Sequence, residues 1–134
     1  MVSTNLIVLY HGTDIDSALD ILNNGLDTQR LLTLQSERVT QLGIGWYATN
    51  EPETAWFFAS LAPGNKGHGY TVIEMELSKY ELELLIQRGL AVRREIVNVP
   101  FLAEQYWFAL DIFELLNERA IFRPYQKQEK PDAH

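Results

Sequence analysis

Leu6-Ile7-Val8-Leu9-Tyr10 is an unbroken apolar run that stops at His11-Gly12. A run that short, apolar at every position rather than at alternate ones, reads as a strand covered on both faces. The chain must then supply strands beside it and helices on either side, all within 134 residues. One domain fits that length. We expect it over residues 1–125, with the polar, proline-containing stretch 126–134 as a flexible tail. The opening run is too short for a secretory signal core of ~7–15 residues, and no stretch approaches the ~20 apolar residues of a membrane helix. The expectation is a soluble cytoplasmic protein, although export by a dedicated machine would leave the same signature.

The segments that follow alternate in type without a regular βαβ rhythm. Ile15, Ala18, Leu19 and Leu22 fall on one helical face, with Thr13 or Asp14 as the cap and Gly25 as the stop. Gly43-Ile44-Gly45-Trp46-Tyr47-Ala48-Thr49 reads as a turn feeding a short strand. Asn50-Glu51-Pro52-Glu53 opens a helix that Pro63-Gly64 ends. In Tyr70–Leu77, Thr71, Ile73, Met75 and Leu77 share one face of a half-buried strand. Ser78-Lys79-Tyr80-Glu81 is a capping box for a helix closed by Gly89. A strand is expected over Glu95–Val99. A third helix is expected from Pro100, with Leu102, Tyr106, Ala109, Leu110 and Phe113 on one face, and a last strand over Arg119–Phe122. This is an α+β pattern rather than a doubly wound parallel sheet. Neither a dinucleotide-binding Gly-x-Gly-x-x-Gly nor a P-loop is present.

Composition removes several classes of function. Hydrophobic residues at 46% and charged residues at 22% are those of a globular chain, not a disordered one. The chain has no cysteine, so no disulfide scaffold, thiol nucleophile or Cys-ligated metal is possible. Three scattered histidines offer no zinc site, and Asp14, Asp16 and Asp20 lack the pattern of a calcium loop. The net charge of −7 disfavours nonspecific nucleic-acid binding, which depends on neutralising phosphates.

Three short motifs carry possible chemistry. His11-Gly12-Thr13 ends an apolar strand, where a glycine lets a ligand approach the backbone; taken alone, a satisfied turn histidine is the plainer reading. Gly43-Ile44-Gly45 precedes Trp46-Tyr47 and would present a ring on a rigid strand, or else mark a bulge. Glu118 follows a helix and precedes an apolar strand, and on its own it reads as an exposed charge. Elsewhere, Glu74 and Glu76 share a strand face and could pair as acid and base, but a solvated face is the stronger reading. His68 lies in a glycine-rich loop. At least two of Trp56, Phe57 and Phe58 read as packing.

Taken together and in order, Leu9-Tyr10-His11-Gly12-Thr13, Asp20-Ile21-Leu22-Asn23-Asn24-Gly25-Leu26, Gly43-Ile44-Gly45-Trp46-Tyr47 and Asn117-Glu118 before Arg119-Ala120-Ile121-Phe122 resemble the ADP-ribosyltransferase superfamily. The resemblance is to its His-Tyr-Glu branch of poly(ADP-ribose) polymerases and diphtheria-toxin-like enzymes. It covers residues 9–60 and 117–122. It implies a split antiparallel β core with helices flanking an NAD cleft. It also implies NAD as co-substrate with no metal, cleavage of the nicotinamide–ribose bond, and transfer of ADP-ribose to an acceptor that is protein, nucleic acid or small molecule.

By this resemblance the Gly12 backbone holds the nicotinamide amide, and Tyr47 stacks on its ring. Phe57 or a neighbour covers the other face. His11 bonds the adenosine-side ribose with Thr13 assisting, and Glu118 orients the nicotinamide-side ribose and favours the oxocarbenium-like charge. Asp27 departs from an arginine common in polymer-forming members, and the chain lacks their extra helical domain. Transfer of a single ADP-ribose, or NAD hydrolysis, is therefore expected over polymerisation. The alternatives are a non-catalytic NAD- or ADP-ribose-binding module, an RNA 2′-phosphotransferase-like enzyme, and a plain interaction protein.

Overall fold

The computed structural model describes residues 5–29, 45–61, 69–96 and 103–126. In chain order the elements are β1 (Leu6–Asp14), α1 (Ile15–Asn24), β2 (Trp46–Thr49), α2 (Pro52–Ser60), β3 (Tyr70–Ser78) and α3 (Lys79–Gln87). They continue with β4 (Ala91–Ile96), β5 (Ala103–Phe108), a 3-10 turn (Leu110–Ile112), α4 (Phe113–Arg119) and β6 (Ile121–Pro124). The architecture is α+β, built on one antiparallel sheet of order β4-β5-β2-β1-β3-β6.

The chain's own punctuation sets several boundaries. The Asp14 carboxylate accepts from Ser17 N at 2.9 Å and caps α1, while Gly25, at φ 81°, ends that helix with its N–H on the Ile21 carbonyl. The Ser78 hydroxyl accepts from Glu81 N at the start of α3. Asn50 does not cap α2. Its side-chain Oδ1 accepts from Glu104 N at 2.9 Å and its own N–H reaches Glu104 O at 3.3 Å, which ties the end of β2 to the start of β5.

Four expectations change. The first strand does not stop at Tyr10, because β1 pairs with β3 over nine positions, from Leu6↔Ser78 to Asp14↔Tyr70. His11-Gly12-Thr13 therefore lies inside the strand. The helix expected from Pro100 is the strand β5 over Ala103–Phe108, with only Phe113–Arg119 helical in α4. Tyr106-Trp107-Phe108 is a run of strand-favouring aromatics whose helical spacing with Leu102 and Phe113 was coincidental. The strand before it begins at Ala91, four residues ahead of the expected Glu95, and is described as far as Ile96; residues 97–102 lie outside the described residues. In α1 the buried stripe runs through Ala18 and Ile21, leaving Leu19 51% exposed.

The two faces of the sheet are filled differently. One face carries Leu9, Trp46, Ala48, Ile73, Met75, Tyr106 and Phe108. It packs on Ala18 and Ile21 of α1, Leu82 and Leu85 of α3, and Phe113 and Leu116 of α4 in a single core. On the other face α2 lies directly on β1. A Cβ at Gly12 would stand 1.8 Å from the Ala55 carbonyl oxygen and 2.8 Å from Ala59 N, so only glycine lets the helix settle this close. Ala55 and Ala59 are 1% and 0% exposed.

Pairing is uneven across the sheet. β1 shares nine positions with β3, and β2 shares four with β5, yet β1 and β2 share one, Tyr10↔Thr49. The sheet is thus two three-stranded halves, β4-β5-β2 and β1-β3-β6, meeting at a seam between β1 and β2.

Candidate functional site

The seam brings two of the three motifs together. Past Tyr10↔Thr49 the strands diverge, with His11, Gly12 and Thr13 on one side and Ala48, Tyr47 and Trp46 on the other. His11 bridges them: its Nδ1–H donates to the Tyr47 carbonyl at 2.5 Å, and its ring stacks on Trp46 at 4.4 Å between centroids and 25° between planes.

Burial pushes the His11 imidazole down to about 4, with the Tyr47 carbonyl and Asp14 pulling weakly the other way. The ring is neutral at pH 7. With Nδ1 carrying the proton, Nε2 carries a lone pair and is an acceptor, suited to a hydroxyl.

The direction of the Gly12 backbone follows from the ladder. Antiparallel residues point both their N–H and C=O to the same neighbour, and successive residues alternate. Val72, opposite Gly12, accepts from Tyr125 N at 3.1 Å, so Val72 faces β6 and Gly12 faces away from β3. The Gly12 N–H and C=O therefore point across the seam towards β2, at the level of Tyr47. The space beside Gly12 on the sheet face is filled by α2, contrary to the expectation that its missing side chain admits a ligand there. Its approach is in the plane of the sheet, through the seam.

The other expected residues fall as follows. Tyr47 is half-buried. By strand alternation its ring points to the face opposite Trp46 and Ala48, so His11 reaches its carbonyl rather than its ring. Thr13 is buried, and its hydroxyl donates to Asp14 Oδ1 at 3.3 Å, inside the α1 cap. Burial pushes the Asp14 carboxyl up, but bonds from the Ser17 hydroxyl and N–H outweigh it and hold it below its ordinary range. Phe57 is 37% exposed on α2 and meets Phe58 edge-on, while Trp56 packs edge-on against Tyr70. Gly43, Ile44 and His68 lie outside the described residues, as does His134. A Cβ at Gly45 would stand 2.2 Å from Trp107 Nε1, so that glycine makes room for an indole.

Glu118 is not brought to the seam. It is exposed in the last turn of α4, not in a connection ahead of a strand. Its neighbours fix where it sits: Arg119 bonds Glu81 at the start of α3, and the Asn117 side chain bonds both N and O of Leu26, at 2.8 and 3.0 Å. That is the end of the sheet where Leu6 pairs with Ser78. His11 pairs with Ile73, five residues further along β1, or ~17 Å at strand rise. Asn117 is a latch between the end of α1 and α4. Glu74 and Glu76, weighed as an acid–base pair, are both held by Arg123, at 2.9 Å each, from the neighbouring strand.

Two residues that sequence reasoning left in a helix belong beside the seam. Glu104 opens β5 next to Asn50, and its Oε1 accepts from the Tyr106 hydroxyl at 3.1 Å. Gln105 pairs with Thr49, the β2 residue at the head of the seam, and its side-chain Oε1 is buried without a hydrogen-bond partner among the described residues. Recognising Tyr106-Trp107-Phe108 as a strand would have exposed both. Among the described residues no group of three or more side chains is arranged to hold a metal, and no helix is long and apolar enough to cross a membrane. No protein-family model matches the chain, and neither does any curated protein or solved structure.

Proposed function

We propose that this chain is an NAD-dependent mono-ADP-ribosyltransferase whose nicotinamide–ribose end enters at the β1–β2 seam. The observation that carries the reading is the Gly12 N–H and C=O pointing into that seam opposite Tyr47. A primary amide offers one acceptor and one donor, the complement of that pair. The Tyr47 ring would hold the flat nicotinamide, and the neutral His11 would accept from a ribose hydroxyl through Nε2. In the reaction the bond from ribose C1′ to the nicotinamide nitrogen breaks, nicotinamide leaves with the electron pair, and the acceptor nucleophile adds at C1′ and gives up its proton.

A second reading, a module that binds NAD or ADP-ribose without turning it over, is favoured by one observation. Glu118 stands away from His11 and Tyr47, and the β5 side chains that face the same way as Tyr47 beside the seam, Gln105 and Trp107, are uncharged.

Incubation with NAD labelled in the adenosine, scoring free nicotinamide and labelled macromolecules, separates the two. Transfer predicts nicotinamide release with label on an acceptor. Binding measured by calorimetry with no release selects the module. Absence of binding ends both. Tyr47→Phe keeps the stacking plane and most of the affinity, whereas Tyr47→Ala is expected to lose roughly 1–3 kcal/mol of binding.

A further inference from the structure

Gln105 is 9% exposed, and its Oε1 is buried with no hydrogen-bond partner among the described residues. A buried carbonyl oxygen left unpaired costs stability, which an apolar side chain of the same size would recover, so such a group calls for an explanation. Its place supplies one. The pair Thr49↔Gln105 is continuous with Tyr10↔Thr49, the last pair before β1 and β2 part, so Gln105 stands one strand from the head of the seam. By alternation along β5 it faces the same side of the sheet as Thr49 and Tyr47, away from Tyr106 and the core.

We propose that Gln105 Oε1 is a specificity contact that accepts a hydrogen bond from an uncharged donor on the ligand, a hydroxyl or an amide N–H, and that this bond satisfies the oxygen only in the complex. The proposal rests on the seam being a ligand site for NAD or a part of it. An amide oxygen, unlike a carboxylate, keeps its acceptor strength across the whole pH range in which the protein folds, and it does not attract cationic competitors.

The test measures calorimetric binding of three probes, NAD, ADP-ribose and nicotinamide, to the parent, Gln105→Met and Tyr47→Ala, with melting temperatures taken without ligand. Gln105→Met is expected to melt no lower than the parent while binding at least about tenfold more weakly, the scale of one hydrogen bond. A loss with ADP-ribose assigns the donor to a ribose hydroxyl, and a loss with nicotinamide alone assigns it to the amide. Should Gln105→Met fail to fold, Gln105→Asn keeps the amide but withdraws it by one methylene, and the same loss is expected. Unchanged affinity in a folded Gln105 variant, with Tyr47→Ala weakened, overturns the Gln105 contact and leaves the NAD site standing. A Gln105→Met protein that melts well below the parent without ligand also overturns it, because the oxygen is then satisfied in the free protein. No binding of any probe by the parent overturns the NAD site and the contact together.

Discussion

His11 carries the clearest consequence at the scale of one residue. Its folded-state pKa of about 4 lies below its ordinary 6.5. Above pH 6.5 it is neutral in both folded and unfolded chains and contributes no pH dependence. Below 6.5 the unfolded chain takes up a proton that the folded chain refuses, so stability falls with pH until about 4, where the folded state is protonated as well. The full difference is on the order of 3 kcal/mol. His11→Gln keeps an N–H for the Tyr47 carbonyl and does not titrate. Urea midpoints between pH 7 and 4 should therefore decline less steeply for the variant, and parallel declines would remove His11 as the source.

Glu118→Gln, by contrast, alters an exposed end of α4. It should shift stability by no more than about 0.5 kcal/mol and leave nicotinamide release as it is in the parent; a variant without turnover would return Glu118 to the site. The Asn117-Glu118 pair was legible as a motif, but its use was not. Asn117 binds Leu26 from 91 residues away, a contact that depends on how α1 and α4 pack and leaves no trace in local pattern.

At the scale of elements, the sequence was most readable where burial repeats with the element's own period. The inward set Ile73, Met75 and Leu77 is 0–2% exposed as the alternation required, and Asp14 and Ser78 cap the helices they precede. It misled where apolar spacing fitted both periods, as over residues 102–113, and there the wrong element hid Glu104 and Gln105. At Gly12 it pointed to a ligand where the structure places a helix. That glycine is where α2 meets β1, with no room for a methyl group against the Ala55 carbonyl. Gly12→Ala should force the helix outward and cost about 1–3 kcal/mol in urea unfolding. Lost ligand binding at unchanged stability would instead mean that the missing side chain serves a ligand.

For the whole molecule, what matters is that the two halves of the sheet are not two pieces of chain. β1, β3 and β6 make one half and β2, β4 and β5 the other, so the backbone passes from half to half four times, and no cut separates them. A seam of one paired position between halves tied in this way allows the halves to breathe without coming apart. In native-state hydrogen exchange, the β1 and β3 amides that bond to each other over the nine-position ladder should be the last to exchange, at the free energy of global unfolding. The amides of Gly12 and Tyr47 that border the seam should open earlier, through a smaller sub-global event, and a single exchange free energy for every strand would contradict this. NAD bound in the seam would then act as a cross-brace, closing the gap between those two free energies. The protein would be stiffened most where its own backbone pairing is thinnest.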